Sequence, residues 1–388
     1  MASTVSAFTA ARIWPVASEA DASVCLREHA VLVAGDRVDR VAPLAEIPAG
    51  AQVTDLGEVD LVPGFVDVQV NGGGGALFND DPTLKGIRTI VAAHRRFGTT
   101  SLLPTFITDS VERMMLARAA VNEALNGAEP GVLGVHFEGP FLDERKTGAH
   151  DRDHVRPPGE ADLGVIRGSG LGVTLLTLAA KHLSARVAEE LRRADVRVAL
   201  GHCASTFDEA AFALESGSAT GVTHLYNAMS ALESRAPGLV GAAFASESAT
   251  CGLILDGVHV AYGAARAAFA ALGHQRLMLV TDSVQPVGTD LREFSLGGQS
   301  VRLENGACIN EEGNLAGSAL DMATAVRNAV EHLEVDLGTA VCMASLTPAA
   351  FLGLEGDVGS LRPGGRADMA ILDGGQRCVG TIVGGQSS

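Results

Sequence analysis

The sequence predicts an α/β chain: a (β/α)8 TIM-like barrel with a small β-sandwich domain formed by the N- and C-terminal segments. Three observations predict it. Short apolar strands alternate with helical stretches through the middle of the chain, the pattern of βα units and a parallel sheet. Eight such strands can be picked out, the number that closes a barrel. The two ends share a different texture of strands and turns. Residues 1–61 and 355–388 are therefore assigned to the small β domain, and 62–354 to the barrel.

Up to residue 60 the chain reads as short strands. AVLVAGDRVDRVAP is an apolar run, a turn at Gly35–Asp36, then alternation. LVPGFVDVQ is the first barrel strand, followed by Asn71–Gly75, NGGGG. TLKGIRTIVAAHRRFG has helical spacing. The strands TSLLPT, GVLGVHFEG, GVTLLTLA, VRVALGHC, ATGVTHLYN, CGLILDG and RLMLVTDS come next, and VGSLRPGGRADMAILDGG returns to strand and turn. NGGGG lacks GxGxxG spacing and no Walker lysine follows, which argues against a nucleotide loop. It is expected to be a flexible loop at the mouth of the site.

Of the 388 residues 47% are hydrophobic and 19% charged, enough apolar material for a large core. The net charge of −17 argues against nucleic acid or an anionic membrane as partner. No apolar run is long enough to span a bilayer. MASTVSAFTAARIWP has no basic leader before an apolar stretch, so no signal peptide is expected. Cys25, Cys203, Cys251, Cys308, Cys342 and Cys378 form no CxxC pair and suit reduced thiols in the cytoplasm.

Polar residues at strand ends carry the functional signal. The apolar runs end at Glu138, His202, His224 and Asp282. All strand C-termini of a barrel open on one face, so these side chains can converge. A carboxylate with two imidazoles is a zinc set with a position left for water, and Asp282 could move that water's proton. Each residue alone is more often a cap or surface group than a ligand. Asn227, Arg235, His150 and His259, three residues after Asp256, lie in neighbouring loops. Each can also be a turn former, a solvated charge or a core histidine. An arginine there suits bidentate recognition of an anion such as phosphate.

The ordered segments PGFVDVQVNGGGG, GTTSLLPT, GVHFEGPFL, KTGAH, GHCAS, THLYNAM, RAPG, DGVHV, LVTDS, LAGS and GGRADMAILD resemble the N-acetylglucosamine-6-phosphate deacetylase family of the amidohydrolase superfamily. The resemblance covers about residues 30 to 375. It implies a homodimer that hydrolyses N-acetylglucosamine 6-phosphate to glucosamine 6-phosphate and acetate. It also implies one divalent metal ion per subunit, zinc or else iron or cobalt. By position, the metal ligands fall on Glu138, His202 and His224, and the acid/base on Asp282. His150 would polarise the acetyl carbonyl. Substrate contacts fall on Ala149, His150, Asn227, Ala228, Arg235, the Asp256–His259 turn, and Leu315, Ala316 and Gly317, with Arg235 and His259 as the phosphate pair.

Gln69-Val70-Asn71 stands where many amidohydrolases carry His-x-His. Amides are poor transition-metal ligands beside imidazole, so a single-metal site is expected. The alternatives are an N-acetylgalactosamine 6-phosphate deacetylase or another N-acyl amidohydrolase. Members acting on N-acyl-D-amino acids or cyclic amides usually need a carboxylated lysine, for which Lys85, Lys146 and Lys181 are poorly placed. A non-enzymatic scaffold is disfavoured because all four strand-end residues are present.

Overall fold

A computed structural model describes residues 5–387; the first four residues and Ser388, assigned above to the small domain, lie outside the described residues. The chain divides into two compact units. One comprises the chain up to Asp67, His94–Ser101, and the chain from Asp321 onward; the other comprises Val68–Ala93 and Leu102–Leu320.

The first unit is built on two sheets. Arg37–Pro43, His29–Ala34, Val5–Thr9 and Gln52–Asp55 lie side by side in that order. Arg12–Ile13, Asp60–Pro63, Met369–Leu372, Cys378–Val383 and Gln386–Ser387 form the other. The two ends of the chain meet in this second sheet, where Ala370 pairs with Val62 and Ile371 with Leu61. Alternate side chains of both sheets share one core: Phe8, Val31, Val33 and Val38 against Ile13, Leu61, Met369 and Ile382. The unit reaches further than the boundary at 354/355 expected from texture. It includes the helices Met322–Asn328, Leu337–Ala344 and Leu346–Leu352. Leu337–Ala344 is apolar apart from Thr339 and buried along its whole length, and such a pattern does not announce which core a helix joins.

Asp60 anchors this unit. Its buried carboxylate accepts from Arg12 Nε at 2.6 Å and Nη2 at 2.7 Å, and from Trp14 Nε1 at 2.8 Å. Asp60→Ala is expected to cost about 2–4 kcal/mol, because it strips a guanidinium and an indole N–H of their shared acceptor. The check is a lower urea midpoint at unchanged slope; an unchanged midpoint would show that the cluster contributes nothing.

The barrel strands are β1 Phe65–Val70, β2 Thr99–Ile107, β3 Gly134–Glu138, β4 Val173–Leu178, β5 Val196–Leu200, β6 Gly221–Val222, β7 Thr250–Leu253 and β8 Leu277–Leu279. They form one sheet in chain order. The strand pairs from β2 to β8 are parallel. A parallel bridge between Val70 and Ser283, with Asp282 N donating to Gln69 O at 2.9 Å, brings the last strand back to the first. Each strand matches a run read from the sequence.

The loop expected at the mouth of the site is structured instead. In Asn71–Gly75, Asn71 N and Gly72 N donate to Ser283 O, Gly74 N to Val287 O and Gly75 N to Gln285 O. Gly72–Gly73 pairs with Ala76–Leu77, and a Cβ on Gly72 would lie 2.4 Å from Ala76 O. The glycines thus serve close backbone approach, not flexibility. LAGS is the strand Leu315–Ser318, the edge of an antiparallel sheet with Glu293–Leu296, Gln299–Glu304 and Ala307–Asn310.

Candidate active site

Strand ends place the reacting groups. Glu138 is the last residue of β3; His202, His224 and Asp282 stand two or three residues past β5, β6 and β8. These three non-glycine residues have left-handed backbone, with φ of 47°, 32° and 49°. Such geometry costs on the order of 1–3 kcal/mol per residue and collects at functional sites. Here it turns the chain off each strand.

The donors converge. His224 Nε2 lies 2.9 Å from Glu138 Oε1 and 3.0 Å from His202 Nε2, which is 3.3 Å from the same oxygen. These spacings approach the edge of a tetrahedron built on bonds of about 2.0–2.1 Å, roughly 3.3 Å. His202 Nδ1 donates to Lys146 O at 2.8 Å, which leaves the Nε2 lone pair facing the cluster. Two imidazole nitrogens and a carboxylate oxygen aimed at one point fit a divalent cation. His150 also belongs here: Glu138, His150 and His202 bring one potential ligand atom each within 4.8 Å of one another. Burial opposes ionisation of Glu138, but its contacts with His202 and His224 outweigh that and hold it well below the usual carboxylate range.

Asp282 lies across the cluster from Glu138. Gln69 Nε2 bridges them, 3.1 and 3.2 Å from the Glu138 oxygens and 3.1 Å from Asp282 Oδ1; Asn71 Nδ2 donates to the same Oδ1 at 2.7 Å. Burial and the charge of Glu138 push the Asp282 carboxyl up to about 6, suited to taking and returning a proton near neutrality. His150 Nδ1 is 2.8 Å from Thr108 Oγ1 and accepts from Thr108 N at 3.4 Å, which leaves Nε2 to carry the proton. Burial and the neighbouring His202 hold this imidazole well below its ordinary pKa, so it is a neutral donor.

A cavity of about 310 Å³ opens over these groups. Its walls include Glu138, Ala149, His150, His202, His224, Asn227, Ala228, His259, Asp282, Leu315 and Gly317, all expected site residues. Asp256 is not on the wall but fixes His259: its Oδ2 is 2.6 Å from Nδ1, and its Oδ1 accepts from His259 N. Ala316 is buried with Val284 and Leu296 and does not line the cavity. Arg235 is the larger departure. It lines a separate cavity of about 720 Å³ together with Lys146, Ser205 and Ser230. Within this chain the expected Arg235–His259 pair is therefore not assembled, because RAPG carries the arginine on an exposed loop ahead of Gly238–Ala245.

The amidohydrolase family model matches residues 61–387. The chain belongs to the amidohydrolase family. It is 45% identical over 326 residues to N-acetylgalactosamine-6-phosphate deacetylase of Shewanella sp. (strain ANA-3), covering 84% of this chain and 82% of the relative. It is 34% identical over 364 residues to N-acetylglucosamine-6-phosphate deacetylase of Haemophilus influenzae, covering 93% and 95%. The crystal structure of N-acetylglucosamine-6-phosphate deacetylase from Pasteurella multocida superposes with a TM-score of 0.93 at 33% identity, over 99% of each chain.

In this amidohydrolase the Gln69 amide reaches both carboxylates, Glu138 and Asp282, through Nε2. Sequence reasoning treated Gln69 and Asn71 only as missing ligands. It also passed over His136, on the same face of β3 as Glu138. His136 Nε2 is 2.8 Å from Thr177 Oγ1, itself 2.6 Å from Thr223 Oγ1, and burial lowers its pKa to about 4. The HxE spacing within GVHFEG is the signal that could have found it.

Proposed function

We propose that this amidohydrolase deacetylates N-acetylglucosamine 6-phosphate, giving glucosamine 6-phosphate and acetate, in amino-sugar catabolism or cell-wall recycling. The observation that carries this reading is the convergence of Glu138, His202 and His224 on one point with Asp282 across from them. The names of relatives spanning more than nine-tenths of the chain supply the substrate. Bound by Glu138, His202 and His224, one divalent ion, zinc or else iron or cobalt, would polarise the amide carbonyl and acidify water. Asp282 takes the proton of the attacking water and returns it to the leaving nitrogen. Gln69 and Asn71 hold the carboxylate in place for both transfers. His150 donates from Nε2 to the acetyl oxygen as negative charge grows on it. Asn227, Ala228 and His259 border the sugar phosphate.

The second reading is the 4-epimer, N-acetylgalactosamine 6-phosphate, favoured by the 45% identical Shewanella relative. A homodimer in the cytoplasm completes the proposal; six free cysteines suit a reducing compartment. Among the described residues no helix is long and apolar enough to cross a membrane.

Acetate release from the two phosphorylated epimers and from N-acetylglucosamine, with and without a chelator, tests this. The phosphorylated gluco sugar is expected to turn over fastest, and chelation to abolish activity until zinc, iron or cobalt is restored. Release from none of the three, or full activity in the metal-stripped protein, would overturn the proposal.

A further inference from the structure

A phosphorylated sugar brings a dianion into a cavity whose wall already carries Glu138 and Asp282. The divalent ion proposed above offsets that charge at the reacting end, and the phosphate end still favours a cation on the wall. The candidates on the wall are few. Arg145 is committed: its Nε and Nη2 grip the buried Asp143 carboxylate at 2.9 and 2.7 Å, a contact that holds Asp143 far below its ordinary pKa. His259 is tied through Nδ1 to Asp256 and can offer only Nε2. His150, His202 and His224 belong to the reacting cluster.

Lys146 remains. It lines the site cavity, and its side chain makes no ion pair or hydrogen bond among the described residues. This is a half-buried lysine in a chain with 46 acidic against 29 basic side chains, where an ammonium could readily find a carboxylate. Its backbone, by contrast, is fixed: Lys146 N donates to Asp143 O at 2.8 Å, and Lys146 O receives His202 Nδ1 at 2.8 Å. The residue that orients one candidate metal ligand thus presents an uncommitted cation to the same cavity. It also lines the adjoining cavity that holds Arg235.

We propose that Lys146 contacts the substrate and reads its phosphate. This rests on the function proposed above. A lysine ammonium is a compact point charge that binds phosphate without the fixed geometry of a guanidinium. Its anchored backbone sets the phosphate position relative to His202, so the charge selects substrates by whether they carry an anion at that end of the cavity.

The experiment compares kcat/KM for N-acetylglucosamine 6-phosphate and for unphosphorylated N-acetylglucosamine in the parent protein, Lys146→Met, Lys146→Gln and Lys146→Arg, with metal content measured for each. The ratio of the two kcat/KM values is expected to fall roughly 10- to 100-fold in Lys146→Met and Lys146→Gln, mainly through KM for the phosphorylated sugar. Lys146→Arg should recover most of the ratio. Metal content should match the parent in all three, because His202 is held by a backbone carbonyl. A ratio within twofold of the parent in both neutral variants would overturn the proposal. So would an equal loss on both sugars, or a loss that arginine does not restore. If one neutral variant fails to fold, the other decides. Absence of acetate release by the parent is a different outcome and would overturn the proposed function itself.

Discussion

Asp282→Asn is expected to lower kcat by about 10²–10⁴-fold, the range for loss of a general acid–base group, while metal content stays near that of the parent. The substitution keeps the shape of the side chain. The amide oxygen can still accept from Asn71 Nδ2 and Gln69 Nε2, now at 2.7 and 3.1 Å from Oδ1. It cannot accept the proton of an attacking water or deliver one to the leaving nitrogen. The pH profile should change with it. A base must be ionised to act, so activity of the parent is full above the Asp282 pKa and falls as pH drops through it. Burial and Glu138 set that pKa near about 6 in the protein alone, and a bound cation pulls it lower. The acidic limb should be lost in Asp282→Asn. Near-normal turnover in this variant would remove Asp282 from the chemistry.

Glu138→Ala carries the second large effect. Glu138 Oε1 lies within 3.3 Å of both His202 Nε2 and His224 Nε2, and Gln69 Nε2 donates to both carboxylate oxygens. Its removal takes away the single negative charge among the three proposed ligands and leaves two imidazole nitrogens facing each other. Metal affinity should fall by at least roughly 100-fold, beyond the loss typical of outer-shell partners, and activity with it. Elemental analysis after dialysis checks this without reference to turnover. Full metal content in Glu138→Ala would count against its role as a ligand. Glu138→Gln sharpens the test, since it keeps the volume and loses the charge.

The barrel was legible because its signals are local. An apolar run such as VRVAL and a helical run such as TLKGIRTIVAAHR each declare themselves within a few residues. The strand-end positions of Glu138, His202, His224 and Asp282 were legible for the same reason, as the points where such runs stop. Three features were not. NGGGG looked like a free loop because its partners, Ser283, Gln285 and Val287, come more than two hundred residues later. Leu315–Ser318 was not legible as a strand because its partner, Ala307–Asn310, lies in the inserted sheet. Which cavity Arg235 lines within this chain was not visible either, because sequence shows residue type and not the direction a loop faces.

By itself, then, the sequence determined the fold class, the eight strands and the four residues at their ends, through periodicities that act over one or two turns of chain. Only the tertiary structure decided how those groups serve one another. It placed the Gln69 amide between two carboxylates, gave the Lys146 carbonyl to His202 and left the Lys146 side chain without a partner among the described residues. It also moved Arg235 to another cavity. Those assignments depend on distances of about 3 Å between residues up to 213 positions apart. Hydrogen bonds of that kind are set by closure of the barrel, which no local pattern encodes.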